Sequence, residues 1–120
     1  MSSQRTERVA DQIRRELSEL LQREVRDPRV ALVTITRVEV SADFRHATVR
    51  VSALGTEEAR AGAMTGLDSA RGFLRRELAR RLSLRTTPEL RFFLDRGAEH
   101  SQEISSLLDR LREDGERHGS

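Results

Sequence analysis

Apolar side chains return every three or four positions near the start of the chain. Val9, Ile13, Leu17, Leu20 and Leu21 share one helical face, while Arg8, Asp11, Arg15, Glu19 and Arg23 take the other. The pattern predicts an amphipathic helix over residues 4–25, with Ser3 or Thr6 as its cap. "RDPR" closes it, because Pro28 drives Asp27 into an extended conformation.

The period then changes. "VALVTITRVEVS", Val30 to Ser41, is rich in β-branched residues, but Val33 and Ile35 have one parity and Val38 and Val40 the other. A bulge near Thr36–Arg37 would put all four on the core face. "ADFRH" reads as a turn, with Asp43 accepting local backbone hydrogen bonds. "ATVRVSAL" returns as the second strand of an antiparallel hairpin, with Ala47, Val49, Val51 and Ala53 facing in.

Thr56, followed by Glu57 and Glu58, marks a helix start. The helical pattern runs to about Leu82 through Met64, Leu67, Ala70, Leu74, Leu78 and Leu82, weakened early by Gly62 and Gly66. Gly72 lies in "SARGFLRRELARRL", directly before a dense run of arginines. A kink at Ala70-Arg71-Gly72 is expected there, splitting the region into two helices.

After the connector "SLRTTPEL", Leu90, Phe92 and Leu94 alternate as a third strand. A final helix over His100–Arg112 and a polar tail over residues 113–120 follow. The order implies one domain, residues 1–112, of α+β class. Helices would pack on one face of a three-stranded sheet. Thr48, Arg50, Ser52, Arg91 and Phe93 would occupy the other face.

Composition narrows the chemistry. The 120 residues include no cysteine, which removes disulfides, thiol catalysis and cysteine metal sites. No apolar run reaches a membrane span, and the N-terminus lacks a secretory signal, so a soluble cytoplasmic protein is expected. The three histidines, His46, His100 and His118, have no carboxylate or second histidine at helical ligand spacing, so neither metal nor cofactor is expected. No nucleophile elbow or glycine-rich phosphate loop occurs. With no Trp or Tyr and four Phe, a base-stacking sheet is disfavoured; Phe93 and Phe44 are the rings left for it.

All 22 basic residues are arginine, each a planar fork suited to bidentate phosphate contact. Residues 1–56 carry net +2, residues 57–88 net +3 and residues 89–120 net −3. The basic middle coincides with the predicted kink. Leu74, Leu78 and Leu82 would be buried there, and Arg75, Arg76 and Arg80 would project away, with Arg71 at the kink and Arg81 at the flank. Small Ala70 and Gly72 would let a phosphate approach free backbone N–H groups at the new helix start. Arg50 and Arg85 are weaker candidates. A plain interhelical loop with solvated arginines remains the alternative reading of the same residues.

The order αββααβ and this motif resemble the type II KH RNA-binding domain, whose GxxG loop clamps a nucleic-acid backbone. "RVADQIRRELSELLQREVRDPR", "VTITRVEVSADFRHATVRVS", "SARGFLRRELARRLSLRTTPELRFFLD" and "EISSLL" together resemble the ribosome-binding factor A family. There an AxG kink, here Ala70-Arg71-Gly72, replaces GxxG. The chain departs from the family in having no lysine and in carrying Phe44 where an aliphatic residue is common. The resemblance implies a non-enzymatic, monomeric factor. It would bind 16S rRNA in immature 30S subunits, support 5′-end processing and work beside an assembly GTPase. The alternative is a docking module for a ribosomal protein or GTPase, with RNA contact incidental. A nuclease is disfavoured by the missing acid–base set.

Overall fold

The computed structural model describes residues 4–96. The helix expected at 100–112 and the tail at 113–120 lie outside the described residues. Helix α1 (Gln4–Arg23) leads through a short 3₁₀ turn (Pro28–Val30) into β1 (Val33–Val40) and β2 (His46–Ala53). Helix α2 (Glu57–Arg81) and β3 (Glu89–Leu94) complete the α+β architecture.

The core follows from the periodicities. Ile13, Leu17 and Leu20 of α1 are fully buried, as are Leu67, Leu74 and Leu78 of α2. Each contributes about 1.5–3 kcal/mol by leaving water. They lie against the inward row Ala47, Val49 and Val51 of the central strand, which is also fully buried. Thr6 is a buried residue inside α1 and not its cap; Ser3 lies outside the described residues.

The three strands run in the order β1-β2-β3, with β1–β2 antiparallel and β2–β3 parallel. The predicted bulge is present: the register steps from Ile35 to Arg37 and leaves Thr36 unpaired. Its hydroxyl is 2.8 Å from the Asp95 carboxylate and 3.2 Å from the Arg50 carbonyl. Ile35, Val38 and Val40 are thereby buried on one face, and Val33 is half-buried. In the hairpin turn Asp43 accepts hydrogen bonds from Ser41 Oγ at 2.6 Å and Arg45 N at 3.0 Å. The Ser41 hydroxyl, and then the Arg45 N–H, hold this carboxyl below the usual carboxylate range. Phe44 takes a left-handed conformation at φ 60°, and the Arg5 guanidinium stands 5.1 Å over its ring.

Helix α2 corrects one expectation. Thr56 caps it as predicted, accepting from Ala59 N at 3.1 Å. The helix then continues unbroken for 25 residues, where a helix–kink–helix was expected. One glycine without a proline lowers helix stability by about 1 kcal/mol. Burial of Leu67, Leu74 and Leu78 on either side outweighs that. The first half explains its other glycines. A Cβ at Gly66 would lie 2.9 Å from Val30 Cγ1 and 3.2 Å from an Asp27 carboxylate oxygen. The Asp27-Pro28-Arg29 hook therefore rests directly on the helix backbone.

Candidate nucleic-acid interface

The candidate surface lies on the second half of α2. Leu74 and Leu78 fix the rotation of the helix by their burial, and Arg71, Arg75, Arg76 and Arg80 emerge into solvent. Arg71 and Arg75 are one turn apart, as are Arg76 and Arg80, so the four form two adjacent rows. Gly72 sits between them. The point where a Gly72 Cβ would stand is 3.5 Å from Arg76 Nη1. That is ordinary van der Waals contact, so the guanidinium lies back against the helix beside an open position.

The state of each cation differs. Arg71 and Arg76 make no ion pair with another described residue. Arg75 donates from Nη2 to the Thr87 carbonyl at 3.1 Å, which holds the connector against the helix beside buried Pro88. Arg85, two residues earlier in the connector, is exposed. Arg80 pairs with Glu77 at 3.2 Å, with its own side chain 77% exposed. Such i,i+3 pairs contribute about 0.5 kcal/mol or less, so a phosphate competes readily with this carboxylate.

Arg81 does different work. It reaches α1, 3.0 Å from Glu16 and 3.8 Å from Glu19. The hydrogen bond to Glu16 raises the already high pKa of the guanidinium. It clamps the two helices and leaves the cation face to its neighbours.

Two expectations about the surface change. With α2 continuous, the N–H groups at Ala70-Arg71-Gly72 lie inside the helix, where they bond to preceding carbonyls. The positive helix end is at Thr56, and the arginines flank the negative end. The groups on this surface that could hold an anion are therefore guanidinium groups and not free backbone N–H groups. Arg50 also stands apart. Its neighbours Val49 and Val51 point into the core, so Arg50 projects from the opposite side of the sheet, 3.4 Å from Glu39.

The Asp27–Arg29 hook escaped sequence reasoning. Arg29 donates from Nε at 3.0 Å and from Nη2 at 2.6 Å to the Asp27 carboxylate. This contact, reinforced by the Arg29 backbone N–H, holds the Asp27 carboxyl below its usual range. The Gly62-x-x-x-Gly66 spacing, one helical turn, was the available signal. Among the described residues no cluster of three or more His, Cys, Asp or Glu side chains is placed to hold a metal ion. No described helix is long and apolar enough to cross a membrane.

A family model for ribosome-binding factor A matches residues 5–108. Ribosome-binding factor A of Azoarcus sp. (strain BH72) is 50% identical over 115 residues, covering 95% of this chain and 91% of that protein. An NMR structure of a Thermotoga maritima protein, assigned to ribosome-binding factor A, superposes with a TM-score of 0.68 at 41% identity, covering 78% of this chain and 89% of that one. A homology model of the Thermus thermophilus factor, fitted into a cryo-EM map of a 30S–RbfA complex, gives 0.61 at 37% identity, covering 72% and 91%. With sequence and fold in agreement over most of its length, the chain belongs to the ribosome-binding factor A family.

Proposed function

We propose that this protein is a cytoplasmic, monomeric 30S assembly factor that grips small-subunit rRNA through the arginine face of α2. The observation that carries the reading is the exposure of two neighbouring arginine rows on α2, Arg71 with Arg75 and Arg76 with Arg80, with Gly72 between the rows. The T. thermophilus relative fitted into a 30S complex supports the choice of particle. Phosphate contacts position a protein without reading sequence, so specificity would come from rRNA shape. Binding in this way supports maturation of the 16S 5′ end, with cleavage left to another enzyme and release aided by an assembly GTPase.

The test is co-sedimentation of the full chain with immature 30S subunits. Arg75→Glu/Arg76→Glu is expected to abolish association while the protein stays folded. Unchanged association would move the interface to protein docking and overturn this reading. Cleavage of precursor rRNA by the purified protein with magnesium, abolished by one point mutation, would overturn the non-catalytic part.

A further inference from the structure

The side of the sheet turned away from the helices has a composition of its own. No described helix covers it. Across the strands Arg37 is in register with Arg50, and Arg50 with Phe93. In the next row Glu39 faces Thr48, and Thr48 faces Arg91. Neighbouring strands are about 4.8 Å apart, so these six side chains fall within one nucleotide-sized patch or two. Phe93 is 48% exposed. Phe44 differs, because Arg5 already covers its ring.

The charges favour an anion. Glu39 is shared between Arg37 at 3.5 Å and Arg50 at 3.4 Å, so one carboxylate serves two cations. Both arginines are open to water, at 69% and 45% side-chain exposure. Arg91 makes no ion pair with another described residue. An exposed ring bordered by under-neutralised guanidinium groups is the arrangement that stacks a base and holds its phosphate.

We propose that the open face binds a short single-stranded RNA segment, with one base on Phe93 and the adjacent phosphates held by Arg50, Arg37 and Arg91. This rests on the rRNA-binding reading and extends it. The protein would then lie between two RNA elements, a backbone on α2 and an unpaired strand on the sheet. A single ring explains why no sequence-specific platform is needed. Phe93 provides a place for any base, and the arginines set the polarity of the strand.

Fluorescence anisotropy of the full chain tests it, with a labelled oligouridylate of about twelve nucleotides and an RNA duplex of similar length. Phe93→Leu keeps apolar bulk and removes the ring. It is expected to weaken single-strand binding about fivefold or more and to leave duplex binding unchanged. Arg50→Gln is expected to act in the same direction, and Glu39→Gln to strengthen single-strand binding. Wild-type single-strand binding that Phe93→Leu and Arg50→Gln both leave intact would overturn the proposal while sparing the α2 reading. Wild type that binds neither RNA would overturn both. Hydrogen exchange showing the face already covered by protein in the free chain, by residues 97–120 or by a second copy, would also overturn it.

Discussion

The two halves of α2 use glycine for opposite ends. In the first half Gly66 is buried under Val30 and Asp27, and a Cβ there would stand 2.9 Å from a valine methyl. In the second half Gly72 is exposed, and its nearest neighbour is the tip of a flexible arginine at 3.5 Å. One glycine admits the protein's own chain. The other lies in open space, with the Arg76 guanidinium resting at van der Waals distance beside it. The same residue type, six positions apart, thus marks a packing site in one half and an open stretch of the arginine-bearing surface in the other.

The comparison breaks most visibly at Gly66. Gly66→Val is expected to destabilise the fold by roughly 3 kcal/mol, because the clash falls on buried Val30. Urea denaturation checks this; a change under 0.5 kcal/mol would show that the hook is not packed as described. Next comes Arg75→Gln/Arg76→Gln, expected to weaken rRNA binding about tenfold, near 1.4 kcal/mol, while lowering stability by no more than about 1 kcal/mol for the lost Arg75–Thr87 hydrogen bond. Gly72→Val follows. It is expected to weaken binding several-fold by displacing Arg76, with stability changed by about 0.5 kcal/mol or less, since the position is open. Equal losses in binding and folding would make the two glycines alike and remove the distinction.

A smaller effect sharpens the first half alone. Arg29 holds the folded-state pKa of Asp27 below its unfolded value. The contribution to stability is therefore complete above the unfolded carboxylate value, near pH 4, and fades as pH falls through the folded one. Asp27→Asn is expected to flatten the acid side of the stability profile and to leave RNA affinity at neutral pH alone. Urea midpoints measured from neutral to strongly acidic pH test the first expectation; an unchanged acid slope would detach Asp27 from the hook's energetics.

How much of this was legible in the sequence depends on range. The α1 stripe, the hairpin, the bulge at Thr36 and the Thr56 cap follow from local periodicity and local hydrogen bonding, and the structure reproduces them. The expected division into two helices at Ala70-Arg71-Gly72 did not appear, because a glycine's local preference lost to the leucines buried on either side of it. The role of Gly66 was hidden for a different reason: its partners, Asp27 and Val30, are more than thirty residues away in the chain. On the candidate surface, exposure of the arginines was readable from their phase against Leu74 and Leu78. The Arg81–Glu16 clamp and the Arg75–Thr87 tie were not, since each depends on where a second element docks. Arg50 was placed correctly on the outer sheet face, and that placement separates it from the α2 surface.

The account's central claim is that guanidinium groups on the second half of α2 bind phosphate. The salt dependence of affinity for immature 30S subunits measures it most directly. If about four phosphates are neutralised, log affinity should fall against log salt with a slope near −3, and Arg75→Gln/Arg76→Gln should bring it to roughly −1.5. An affinity independent of salt, or a slope that the double variant leaves unchanged, would contradict the claim.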